Sequence, residues 1–407
     1  MNILIITHYL PYPLSSGGAQ AQYNMIDRLR RHHCITLVFN EGSGNTIAAM
    51  KQLQVLWPDV SIIAYRYWKQ FMYWRFIRDK VRRGALIKLA PESDTLKIER
   101  ALKPYGQWFS TDQRHFLRRV IRQSQPDLIQ VEFYQCLRWC DYLPSDIKKL
   151  FVHHEISFMR NERFLKDIPL SERQKQLMAK AKASEIACLN QYDSVITLTE
   201  TDRDILLQNG VDKPVYVSPA AISATIVPYS EWKGHVVFVG GYAHLPNREG
   251  VDWLIEKVAP LMQTPVTLNL VGAGWPSKYN VSSHGLQMVT LGFVEHLADA
   301  IAQEIMVVPL LTGSGMRMKI LEAAAMSMPV LTTSVGVEGL AFKHEKSCLV
   351  ADTPKDFASA LERLMSDGEL RKRIGTGAHR VYEENYSVET LTQKRESIYT
   401  LICGKNS

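Results

Sequence analysis

The chain has 407 residues, enough for about two domains of ordinary size that each bury a core of their own. Hydrophobic residues make up 46% and charged residues 22%, a balance normal for a soluble globular protein, and no apolar run approaches the ~20 residues of a membrane-spanning helix. The net charge is +7, from 48 basic against 41 acidic residues, and it is not spread evenly: residues 66–88 carry eight basic residues and one acid, a local +7.

The start, "MNILIITHYLPYP", lacks a basic leader, a long apolar core and a small-residue cleavage site, so it reads as a buried first strand rather than a secretory signal. Short aliphatic runs then alternate with helical patterns: Ile3 to Thr7, Ile35 to Phe39, Leu128 to Glu132, Leu150 to His153, Val195 to Leu198 and Val215 to Ser218. A second series runs through Val236 to Gly240, Thr267 to Val271, Gln287 to Leu291, Ile305 to Pro309, Val330 to Thr333 and Cys348 to Val350. Alternation of this kind predicts βαβ units and parallel sheets, and its restart predicts two doubly wound α/β domains in tandem. Small residues and two prolines in "SPAAISATIVPYSEWKG" place the boundary at about Val227, giving domains 1–227 and 228–386. A last helix over Ser387 to Leu401, within 387–407, is free to pack on either, including back on the N-terminal domain.

Six cysteines (Cys34, Cys136, Cys140, Cys188, Cys348, Cys403) are scattered, and only Cys136 and Cys140 lie close, with no further Cys or His at zinc-ligand spacing. Free thiols in a reducing cytoplasm are expected.

The stretch "GSGMRMKILEAAAMSMPVLTTSVGVEGL", Gly313 to Leu340, carries the most chemistry. Gly313, Ser314 and Gly315 give a side-chain-poor loop between a strand ending at Pro309 and a helix starting near Met316. A helix N-terminus with free N–H groups attracts anions, and Arg317 and Lys319 add positive charge suited to a diphosphate. A plain glycine turn with two solvated cations fits the same spacing. Glu322 falls on the helix face of Lys319, where it could accept hydrogen bonds from the vicinal hydroxyls of a ribose or merely pair with Lys319.

This run resembles the donor-binding signature of family 4 glycosyltransferases of the GT-B fold: a glycine loop, a Lys, a Glu-Ala-x-Ala helix, then Pro-Val and a strand. Lys319, Glu322, Ala323, Ala325, Pro329, Val330, Gly336, Glu338 and Gly339 all fit. "VFVGGYAHLPNREGVDWLIEKVAPLM" resembles the family's opening strand of the second domain, with Gly240, Gly241, Pro246 and Asn247. "LNLVGAGWP" and "VTLGFVEHLADAIAQEIMVVPLL" resemble the strands and helix that follow, and "HYLPYPLSSGGAQAQYNMIDRLRRHHCITLV" resembles the N-terminal strand, its Gly17 and Gly18 loop and the first helix.

The resemblance implies two Rossmann-like doubly wound domains facing a central cleft, and a retaining, metal-independent transfer from a nucleotide diphosphate sugar with no further cofactor. The Gly313 to Leu340 segment itself holds no Asp-x-Asp that would carry a divalent ion against the diphosphate, which agrees with the metal-free part. The family often has a second Glu, contacting the donor sugar, where this chain has Gly315, and a basic residue after the Gly240, Gly241 loop that Arg317 could replace. Glu322 corresponds to the retained Glu, implied to hold the ribose.

In "FVHHEISFMR" two histidines close a strand; the resemblance implies a His facing the donor sugar, and the "FMR" run favours His154 over His153. "PDLIQVEFYQ" sets Glu132 and Tyr134 at another strand end, where Glu132 binds acceptor, supports the site or caps a helix. In residues 66–88, Tyr67, Phe71, Trp74 and Val81 recur near helical spacing beside Arg75, Arg78 and Arg82. That pattern suits an anionic membrane surface or a core-facing aromatic stripe with a solvated back. No recognition module argues for nucleic acid.

The resulting expectation is a cytoplasmic glycosyltransferase, peripheral at the inner face of the plasma membrane, acting on a cell-envelope glycan or lipid-linked acceptor. A nucleotide-sugar epimerase of the same fold and a non-catalytic membrane-associated adaptor are the alternatives. A dehydrogenase is disfavoured because "VGAG" lacks the third glycine at fingerprint spacing.

Overall fold

The computed structural model describes residues 1–14, 17–40, 44–65, 102, 109–166, 168–220, 224–283, 285–313 and 316–404. The chain divides into two units, Met1–Ser218 with Arg395–Ser407, and Pro219–Lys394.

In the first unit, β1 (Asn2–Thr7), β2 (Cys34–Asn40), β3 (Ser61–Tyr65), β4 (Leu128–Glu132), β5 (Lys148–His153), β6 (Ser194–Thr197) and β7 (Val215–Val217) form one sheet, in the order β3-β2-β1-β4-β5-β6-β7. Every neighbouring pair is parallel. The central strands are aliphatic throughout because both faces are covered: Ile3 and Ile5 face a core with Leu37, Trp57 and Tyr399, whereas Leu4 and Ile6 face one with Val131, Phe151 and Trp139. The helices Thr111–Ser124 and Glu172–Leu189 each open with a reciprocal cap, Ser110 with Gln113 and Ser171 with Gln174.

The second unit repeats the plan. Its strands are β8 (His235–Val239), β9 (Val266–Val271), β10 (Ser282–Ser283), β11 (Leu286–Gly292), β12 (Ile305–Val308), β13 (Val330–Thr332) and β14 (Leu349–Val350), in the order β10-β11-β9-β8-β12-β13-β14. All pairs are parallel except the edge pair β10–β11. In each sheet the strand order reverses once, between β1 and β4 and between β8 and β12. In open α/β sheets, ligands bind at the carboxyl ends of the strands at such reversal points.

Twelve strands lie where periodicity puts them, with ends differing by a residue or two. Two were not foreseen. The five-residue β3 runs without a turn signal into the aromatic, basic stretch, and β10 has only two residues. Gly17 and Gly18 open the helix Gly17–Leu29 rather than forming a loop, and the helix after Gly313 starts at Met318 rather than Met316.

The division falls at Ser218/Pro219, ahead of the expected Val227. The Val227 N–H donates to Ala325 O at 3.3 Å and its carbonyl accepts from Ser327 Oγ at 2.8 Å, which ties this strip to the second unit. Of the last helix, Val388–Cys403, the part from Arg395 onward goes with the first unit, where Ile398 and Tyr399 are buried. All six cysteines are free thiols. Residues 66–88, Ser314 and Gly315 lie outside the described residues.

Candidate functional site

In the second unit the reversal point lies between β8 and β12. The loop after β8 holds Gly240 and Gly241; the loop after β12 leads through Gly313 to the helix Met318–Ala325. Asn247, buried in the helix Leu245–Trp253, joins the two: its Nδ2 donates to Gly241 O at 2.9 Å, and its Oδ1 accepts from Lys319 Nζ at 2.9 Å. Only glycine fits at 240, because a Cβ there would stand 2.5 Å from Asn247 Nδ2 on a backbone with φ 156°. Gly272 of the "VGAG" run serves packing of the same loop, since a Cβ at 272 would meet Gly240 O at 2.5 Å.

Arg317 stands at the N-cap of the helix Met318–Ala325, and its side chain makes no capping hydrogen bond. Its guanidinium is buried, with Nη2 3.4 Å from Gly313 O and 3.7 Å from Glu338 Oε2. Lys319 does not pair with Glu322 as surface partners would. It bonds Asn247 instead and lies over the Phe238 ring of β8 at 4.1 Å. Burial pushes the Lys319 ammonium down to about 7; Glu322 opposes this and Arg317 adds to it. Burial likewise pushes the Glu322 carboxyl up to about 7 against the pull of Lys319. Ile320, Leu321 and Ala323 to Ala325 are buried, holding this helix tightly while Lys319 and Glu322 remain half-buried.

In the first unit the reversal point lies between β1 and β4. A Cβ on Gly18 would stand 2.7 Å from Tyr9 OH and 3.4 Å from the Phe133 ring, so glycine lets the helix start approach both. Tyr9 packs on Phe133 at 4.9 Å, and Phe133 stacks on His154 at 4.1 Å with 13° between the rings. Glu132, fully buried at the end of β4, accepts from His154 Nε2 at 2.9 Å. It caps no helix. Tyr134 opens a 3-10 helix, Tyr134–Asp141, with the Arg160 guanidinium 5.3 Å above its ring.

The two histidines separate completely. His153 is buried, its Nε2 2.9 Å from Glu185 Oε1, and the same carboxylate accepts from the Ser157 and Phe158 N–H groups at 3.2 Å. His153 thus belongs to the layer that starts the helix Ser157–Phe164, while half-buried His154 lies with Glu132 and Phe133. Sequence reasoning missed Tyr9, Gln130, Phe133 and Tyr399. Gln130 left a legible signal as a polar residue two positions before Glu132 in the fully buried "LIQVE".

Residues 233–367 match the family model of glycosyl transferases group 1. Glycosyltransferase 1 domain-containing protein 1 of Xenopus tropicalis is 36% identical over 88 residues, which cover 22% of this chain and 25% of that protein. The match thus spans about a quarter of that relative's length. Among solved structures, a TarM variant of S. aureus in complex with Fondaparinux, alpha-GlcNAc-glycerol and UDP superposes with a TM-score of 0.67 at 12% identity, over 98% of this chain and 100% of that one. Anabaena HepE in complex with UDP and glucose gives 0.65 at 13% identity, over 98% and 99%. The fold is GT-B, with two Rossmann-like α/β domains.

Proposed function

We propose that the chain is a retaining glycosyltransferase of family 4 type that moves a sugar from a nucleoside diphosphate sugar to a cell-envelope glycan or lipid-linked acceptor. The observation that carries this reading is the bridge Gly241–Asn247–Lys319, which holds a glycine loop and a helix N-terminus side by side at the strand reversal of the second unit. The helix N-terminus, Lys319 and Arg317 can receive a diphosphate. Glu322, one turn further on, is offered to the ribose hydroxyls.

In the reaction so read, the bond between the anomeric carbon and the β-phosphate oxygen breaks. The acceptor oxygen bonds the anomeric carbon on the same face, and its proton passes to the departing phosphate. Charge on that leaving group is what Arg317, Lys319 and the helix N-terminus stabilise, in place of a metal ion. His154 is the first unit's residue offered to the donor sugar, and Tyr134 is its residue offered to an acceptor. The match to glycosyl transferases group 1 supports the donor half, and the glycan-bound and UDP-bound relatives support the chemical classes of acceptor and donor. The basic aromatic sequence 66–88 supports docking on an anionic membrane surface.

A thermal-shift panel of UDP, GDP, ADP and their sugar conjugates, with and without EDTA, tests the reading. One nucleoside diphosphate should raise the melting temperature, since a ligand that binds the folded state stabilises it, and EDTA should leave the shift unchanged. No shift with any nucleotide would overturn the proposal; a shift that EDTA removes would overturn its metal-free part. Transfer of labelled sugar to a lipid or polysaccharide fraction, lost in Glu322→Ala, separates a transferase from an epimerase or an inactive scaffold.

A further inference from the structure

A row of hydrogen bonds runs through the buried end of β4 in the first unit. Tyr399 OH, from the last helix, lies 2.5 Å from Gln130 Oε1. Gln130 Nε2 lies 2.5 Å from Glu132 Oε1, and Glu132 Oε2 lies 2.9 Å from His154 Nε2. Gln130, Glu132 and Tyr399 are all fully buried, so none of these bonds is exchanged with water at low cost.

Chemistry fixes each direction. An amide oxygen only accepts, so the Tyr399 hydroxyl donates; an amide nitrogen only donates, so Glu132 accepts. Turning the Gln130 amide over would set its oxygen against a carboxylate oxygen. Burial alone would raise the Glu132 carboxyl, but the His154 hydrogen bond, the Arg395 guanidinium and the Gln130 amide oppose it, and the carboxyl stays below its ordinary range. Glu132 is therefore an acceptor at both oxygens, and the hydrogen between it and His154 belongs to Nε2.

The ring plane is fixed as well. Phe133, which follows Glu132, takes φ 65°, a left-handed backbone that a phenylalanine adopts only when its surroundings impose it. In that conformation its ring lies flat on the His154 imidazole. Consecutive residues thus grip His154 by one edge and one face.

We propose that Glu132 is a positioning residue for His154, holding it as the Nε2–H tautomer with Nδ1 as the free acceptor, and that Tyr399 of the last helix keeps Glu132 in place through Gln130. The use made of Nδ1, to accept a hydrogen bond from a hydroxyl of the donor sugar, rests on the reading of His154 given above. The tautomer does not. Glu132 thereby acts on the reaction through His154 rather than by binding acceptor, and the return of the chain's end to the first unit has a role at the site.

Nitrogen-15 and proton NMR of the full chain, histidine-labelled and without nucleotide, tests this, with His154→Asn identifying the resonances. The expected result is a slowly exchanging, downfield imidazole proton on Nε2 of His154, lost in Glu132→Leu and shifted upfield in Tyr399→Phe. A proton on Nδ1 in the wild-type chain, or an Nε2 proton unchanged in Glu132→Leu, would overturn the proposal. An unchanged signal in Tyr399→Phe would overturn the part played by the last helix. If Glu132→Leu does not fold, the wild-type spectrum and Tyr399→Phe still decide. Nucleotide binding by the same samples is read separately, so a failed donor reading leaves the tautomer result intact.

Discussion

Lys319 offers the sharpest test of the donor site, because burial holds its ammonium at about 7 in the free protein. At pH 8 such a group is about 9% protonated. A diphosphate within hydrogen-bond reach raises an ammonium by roughly 1–3 units; for a rise of about 2, to about 9, binding at pH 8 should draw in about 0.8 proton per nucleotide. The same cycle makes the dissociation constant rise about 25-fold between pH 7 and pH 9. At pH 8 the nucleotide is fully ionised and Glu322, also near 7, is mostly so, which leaves Lys319 as the main source of uptake. Isothermal calorimetry in HEPES and in Tris, whose ionisation heats differ, counts the protons directly, with UDP as the first ligand. Lys319→Met should bind more weakly and take up almost none. No uptake by the wild-type chain, or equal uptake by Lys319→Met, would refute the assignment of Lys319 to the diphosphate.

Arg317→Ala should weaken nucleoside diphosphate binding by about tenfold or more, since it removes a buried charge at the helix N-terminus; unchanged calorimetric affinity would sink its role. Glu322 is raised from 4.5 to about 7, so the folded chain holds that proton more tightly than the unfolded one. The stability this gives is complete below pH 4.5 and lost as pH rises through 7, up to about 3 kcal/mol, and urea titrations of Glu322→Gln across that window should lose this slope. His153→Ala removes a buried hydrogen bond to Glu185 and should cost about 1–3 kcal/mol in urea denaturation without altering nucleotide affinity; an intact stability would contradict a structural role. At Gly336, an added Cβ would overlap Thr332 Oγ1 and stand 2.9 Å from Val308 O, so Gly336→Ala should destabilise by about 1–3 kcal/mol, read as a lower melting temperature.

Much of the architecture was legible from periodicity. Short aliphatic runs such as "ILIIT" and "VVF" suit strands buried on both faces, and their alternation with helical patterns leaves parallel order as the natural outcome. The donor segment was legible for a similar reason: a glycine loop, two cations and an acid on one helix constrain one another over ten residues. Local spacing failed where an outcome depends on a distant partner. Neighbouring residues at a strand end point to opposite faces, so either His153 or His154 had to be buried, but which one was settled by Glu185 on one side and Glu132 on the other. Helical spacing left a Lys319–Glu322 pairing open as one of two readings, and it was Asn247, 72 residues away in the chain, that took the Lys319 ammonium.

The sequence by itself determined the two α/β units, the strands that build them and the chemical character of the Gly313 to Leu340 segment, because these follow from short-range pattern and composition. Only the tertiary structure decided which polar groups lose water, and hence that Lys319 and Glu322 both move to about 7. It also decided that Tyr399 meets Gln130 across 269 residues. Desolvation and long-range hydrogen bonding depend on what packs around a group in space, and no window along the chain contains that information.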